Sequence, residues 1–142
     1  MLQTKQYKLD GHEYTHSYVE VTADVSNDGT FFKSIKFYSY HTMIINIELP
    51  NEAGLCTLTC TGTYSRTTAR QISWFLRTLY IDIDYFVLKS LCNDENDAIV
   101  ALDDYSRKRC IIVADWYWNN GSTMNMDSYN RKVNEVIKKW YW

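Results

Sequence analysis

The sequence predicts an α+β fold. It reads as a single domain over residues 1–142, with a mainly antiparallel sheet and two or three helices packed against one face. Three observations carry this. Through residues 1–60 apolar and polar positions alternate between Gly-containing turns; after Tyr64 the apolar spacing changes to threes and fours; a second helical pattern closes the chain. No internal repeat, linker or low-complexity stretch interrupts this order, and 142 residues suffice for one core without disulfide or metal support.

Each element has its own signal. Asp10-Gly11 separates Lys5–Leu9 from Glu13–Val25, and Asp-Gly between two strand-like runs marks a hairpin. Val19, Val21, Ala23 and Val25 alternate with Tyr18, Glu20, Thr22 and Asp24, the pattern of a half-buried strand. Asn27-Asp28-Gly29 supplies the next turn, Phe31–Tyr40 is rich in rings, and the nearly unbroken apolar run Met43–Leu49 predicts a central strand. Pro50 opens a turn before the alternating Leu55–Cys60. Ala69, Ile72, Phe75, Leu76 and Leu79 then form one helical face, with Ser65 or Thr67 as the cap. Asp84–Cys92 fits either a short helix or a strand, the helix being preferred. Ala98–Leu102 and Cys110–Trp118 are expected to pair as a hairpin around Asp103–Lys108, with Cys110-Ile-Ile-Val-Ala114 central in the sheet. Asp127 or Ser128 caps a final helix with Tyr129, Val133, Val136, Ile137 and Trp140 on its apolar face.

Composition narrows the classes of function. Charged residues make up 23% and apolar residues 46%, ordinary for a globular chain and against disorder. No apolar run approaches a membrane span, and none follows the N-terminal charges as in a secretory signal, so a cytoplasmic protein is expected. Cys56, Cys60, Cys92 and Cys110 should then be reduced thiols filling apolar space. Their spacing, with only His12, His16 and His41 to help, makes no zinc pattern, and neither a metal nor a cofactor is expected.

No constellation in the sequence supports catalysis. There is no nucleophile elbow and no Gly-rich phosphate loop, and the adjacent Asp103 and Asp104 need not converge on one substrate. His16 and His41 can face each other across strands, where a stacked or hydrogen-bonded histidine is the ordinary outcome. Binding is therefore the expected activity.

Two charged regions are candidates for it. Residues 82–104 hold seven carboxylates against Lys89 alone, and Asp94, Glu95, Asp97, Asp103 and Asp104 form the block assigned to a partner surface. The plainer alternative puts the same carboxylates on solvated loops and at helix N-termini. Ser65, Arg66, Thr67, Thr68 and Arg70 lie near a helix start, where free amides favour an anion. Hydroxyl residues before a helix are most often just caps, and a pI near 5.9 is far below that of a usual nucleic-acid binder. Twelve Tyr, five Trp and five Phe supply rings for core and interface alike. Trp140 is expected to pack on the sheet; Trp142 is the aromatic candidate for a partner or homodimer contact.

Phe37, Ser39, Tyr40 and Thr42, followed by Tyr64, Ser65, Thr67, Thr68, Arg70, Phe75 and Leu76, resemble a pattern in small proteins of phages and plasmids of Gram-positive bacteria. That pattern is an aromatic-x-Ser-Tyr-x-Thr strand, an apolar strand, and Tyr-Ser-x-Thr-Thr entering a helix. The resemblance covers about residues 35–80 and departs at Gln71, where such sequences often carry His. It implies a setting in the host cytosol and a protein that acts by stoichiometric binding. The sharpest version is an anti-CRISPR inhibitor of an effector nuclease. The alternative is a small nucleic-acid or phosphate-binding module acting through the arginine-bearing helix, residues 66–80.

Overall fold

Alternation in the first part of the chain becomes a meander of five strands. A computed structural model describes residues 1–10, 16–49, 56–60, 66–79, 98–120, 123–125 and 131. The meander comprises β1 (Leu2–Asp10), β2 (Ser17–Ser26), β3 (Gly29–Ser39), β4 (Thr42–Glu48) and β5 (Cys56–Cys60). Helix α1 (Arg66–Leu79), β6 (Ala98–Leu102), helix α2 (Asp104–Asn120) and β7 (Thr123–Asn125) follow. The sheet order is β6-β5-β4-β3-β2-β1-β7; β7 runs parallel to β1 and every other pairing is antiparallel.

Register sends the apolar set of each strand to one face, because side chains alternate with period two. Tyr7, Val19, Phe37, Ile45 and Cys60 align across five strands, as do Val21, Ile35, Ile47 and Leu58, and all nine are buried. The opposite face carries Gln6, Glu20, Lys36 and Asn46 in one row and Lys8, Tyr18, Tyr38 and Met43 in the next. The β3–β4 register shifts between Phe37 and Tyr38, leaving Ile44 as the extra residue, buried alongside Ile45.

Helices α1 and α2 both pack on the apolar face. On α1, Ile72, Phe75, Leu76 and Leu79 are buried, and Phe75 stacks on Phe37 with centroids 4.7 Å apart. Ser39 Oγ donates to Gln71 Oε1 at 2.5 Å in a buried contact that ties α1 to the end of β3. The two stretches that carry the phage-like resemblance are thus packing partners. Gln71, at the departure from that pattern, is a buried acceptor.

Residues 104–120 correct the expected hairpin. Cys110-Ile-Ile-Val-Ala114 is not a central strand; it is the middle of α2, and β6 pairs with β5 instead. Asp103 explains the change. Its Oδ1 accepts the Ser106 N–H at 2.7 Å and its carbonyl accepts the Arg107 N–H at 2.9 Å, so it is the N-cap rather than a loop residue. Cys110, Val113, Ala114 and Tyr117 then fall at i, i+3, i+4 and i+7 and are fully buried. Tyr117 packs 5.4 Å from Tyr7, while Trp118 meets the ring of Phe32 edge-on and lies under Lys5 Nζ at 4.0 Å. Trp116 and Trp118 therefore flank a buried Tyr117 on a helix.

Helix α2 also solves a problem of reach. Between β6 and β7 lie six strand spacings, roughly 29 Å at about 4.8 Å each. Seventeen helical residues span about 25 Å. One straight helix laid over the apolar face carries the chain from one sheet edge nearly to the other.

Candidate functional site

The outer face of the sheet is mostly polar, with Leu2, Phe31 and Ile99 exposed apart from one another, and β2, β3 and the β3–β4 turn bring rings together on it. Tyr18 and Tyr38 are cross-strand partners, and their rings stack with centroids 4.7 Å apart and planes 6° from parallel. The turn that joins β3 to β4 has only Tyr40 and His41 between the paired Ser39 and Thr42. A two-residue hairpin of type I′ needs positive φ at both central positions, which normally selects Asn-Gly. Here φ is 50° at Tyr40 and 69° at His41. His16, just before β2, has φ 61°; its carbonyl accepts the Tyr40 N–H at 3.0 Å, and its ring lies 5.1 Å from that of Tyr40.

An open pocket of about 530 Å³ lies beside this turn. Its described lining is Tyr18, Tyr40, His16 and His41, with Ser17 at the start of β2 and Gln6 and Lys8 from β1. Among the described residues, His16, Tyr40 and His41 are the three non-glycine residues with positive φ, and all three line this pocket. Each left-handed residue costs about 1–2 kcal/mol. Strain of this kind concentrates where a structure must hold particular side chains in place.

Burial, aided by Glu20 and Tyr18, raises the Tyr38 hydroxyl above its usual range, so it stays a neutral donor. Gln6 Nε2 donates to the Glu20 carboxylate at 3.0 Å, which engages the acid nearest the pocket in the strand register. Lys8 is exposed at the rim. Rings, amides and one cation can stack on, hydrogen-bond and orient a ligand.

Elsewhere the candidates scatter. Asp103 caps α2, and hydrogen bonds from Ser106 hold its carboxyl below the ordinary value. Asp104 pairs with Lys108 at 3.1 Å one helical turn on. Asp94, Glu95, Asp97, Trp142, Ser65 and the 84–92 segment lie outside the described residues, as does the final helix expected after Asp127. Arg66, Thr67 and Thr68 form the first turn of α1, so Thr67 is inside the helix and not its cap, and Arg70 is exposed. Cys56, Cys60 and Cys110 are buried, and burial raises the thiols of Cys56 and Cys110. Among the described residues no three ligating groups converge on a metal position, and no helix is long and apolar enough to cross a membrane.

The pocket was only half legible in the sequence. Phe37–Thr42 and the pairing of His16 with His41 point to it, whereas Gln6, Lys8 and Tyr18 carry no motif. Tyr-His in the place of Asn-Gly between the ring-rich β3 and the apolar β4 was the available signal. No family model matches the chain, and no curated protein or solved structure does. Fold and site together define an α+β domain that presents a strained, ring-lined pocket on the open face of its sheet.

Proposed function

We propose that the chain is a non-enzymatic protein of a phage or other mobile element that binds a host protein and blocks it. The most concrete version is an inhibitor of a CRISPR effector nuclease. The motif resemblance over residues 35–80 supplies the setting. One structural observation supports binding as the activity: the three left-handed non-glycine residues all hold rings at the same exposed site. Rigid, amphipathic rings with few rotamers are the side chains that dominate protein contacts. Tyr40 is 56% exposed and provides such an anchor. The pocket rim joins the acidic block as a candidate contact surface; of that block Asp103 caps α2 and Asp104 pairs with Lys108, both remaining exposed.

The test is target cleavage by a reconstituted effector nuclease with its guide, titrated with the purified chain. Cleavage should stop near equimolar chain, and a variant with Asn-Gly at positions 40 and 41 should inhibit far less. Undiminished cleavage at large excess, with no complex on gel filtration, removes the CRISPR version. Full inhibition by the Asn-Gly variant removes the pocket rim as the contact.

A further inference from the structure

We propose that the pocket beside the β3–β4 turn binds a nucleotide unit, its base flat against the rings of Tyr18, Tyr40 and His41 and its phosphate toward Lys8. This goes beyond docking on a host protein, since the chain alone would hold the ligand. Four of the seven described lining residues present a ring, so the pocket offers π faces in place of the aliphatic walls that suit a lipid. Stacking on aromatic side chains is the recurrent way proteins hold single bases, because every base has a π face.

The charge is of the right sign for a phosphate. Lys8 contributes a cation at the rim, the described lining contains no carboxylate, and Glu20 in the neighbouring row is engaged by Gln6. A volume of about 530 Å³ lies within the range of small-molecule sites and suits one nucleotide rather than a stretch of strand. The rings of His16 and Tyr40 lie 5.1 Å apart and those of Tyr18 and His41 6.3 Å apart, and these contacts reduce the ordering that opposes binding. A base with an attached phosphate can come from a free nucleotide or from an unpaired position of a single strand. The chemistry recognised is the same in both.

Calorimetric titration of the full chain with AMP, adenosine, ribose 5-phosphate and an eight-residue oligoadenylate tests this. AMP should bind, adenosine more weakly, and ribose 5-phosphate not measurably. Tyr40→Ala should weaken AMP by about tenfold or more, the loss expected for one stacking ring. Lys8→Ala, on an exposed strand position, should reduce AMP to the affinity of adenosine while leaving the circular dichroism unchanged. Oligoadenylate binding more tightly than AMP assigns the site to a strand; equal or weaker binding assigns it to a free nucleotide. The inference is overturned if neither AMP nor oligoadenylate binds at millimolar concentration, if ribose 5-phosphate binds as well as AMP, or if neither variant alters binding. None of these results touches the nuclease assay, so the two proposals fail separately.

Discussion

Replacing Tyr40-His41 with Asn-Gly should stabilise the protein while weakening its pocket. Both residues occupy the left-handed region, at about 1–2 kcal/mol each for a residue with a Cβ. Glycine in place of His41 removes its share outright and asparagine in place of Tyr40 removes part, for a relief of roughly 2 kcal/mol. Against this stand the ring contacts of Tyr40 with His16 at 5.1 Å and of His41 with Tyr18 at 6.3 Å. At exposed positions these together contribute about 1 kcal/mol. The net gain is therefore about 1 kcal/mol, or roughly 3 °C in melting temperature for a chain of this length. Differential scanning calorimetry measures it directly, and the titration with AMP measures the accompanying loss of binding. A melting temperature equal to or below that of the parent would refute the assignment of strain to this turn.

Other expectations concern the scaffold. Phe75→Ala should cost about 3–5 kcal/mol in urea denaturation, since Phe75 is fully buried and stacked on Phe37. Asp103→Ala should lower the melting temperature at neutral pH by removing the cap of α2. The folded carboxyl titrates below 3.8, so the stabilisation from Asp103 is present above about pH 4 and is lost as pH falls below it. The variant and the parent should converge in acid. Burial pushes the Tyr7 hydroxyl from 10.0 to about 12, so the folded chain keeps a proton that the unfolded chain releases, and stability should decline between those two values. Tyr7→Phe retains the ring against Tyr117 and should flatten that decline in a pH series of denaturation curves.

The meander was legible because period-two alternation and register are one constraint. Val19, Val21 and Ala23 could only share a face, and Asn27-Asp28-Gly29 could only be a turn. Helix α1 was legible for the same reason at a period of three to four. Helix α2 was hidden by its composition: Cys110-Ile-Ile-Val-Ala114 is a strand by local preference, and β-branched residues disguise the spacing of Cys110, Val113, Ala114 and Tyr117. Asp103 as a cap was the signal that outweighed it. Strand β7 has no sequence signature at all, because Thr123–Asn125 pairs in parallel with a partner more than a hundred residues earlier. The pocket suffered likewise. Lys8 reaches it through cross-strand neighbours, and His16 and the turn through backbone angles, neither of which a linear pattern records.

The position of β7 has a consequence for how the protein is made. Synthesis delivers β1 first, and β2 pairs with it as soon as the next residues emerge. The other side of β1 gains its neighbour only when Thr123–Asn125 emerges, after the whole of α2. During that interval the backbone groups of Lys8, Leu9 and Asp10 face an open edge of the kind that recruits foreign strands. The same end of β1 holds Lys8 of the pocket, so β7, which emerges late, also closes the ground on which the first half of the site stands. A stalled or truncated chain would present its rings before that edge was secured.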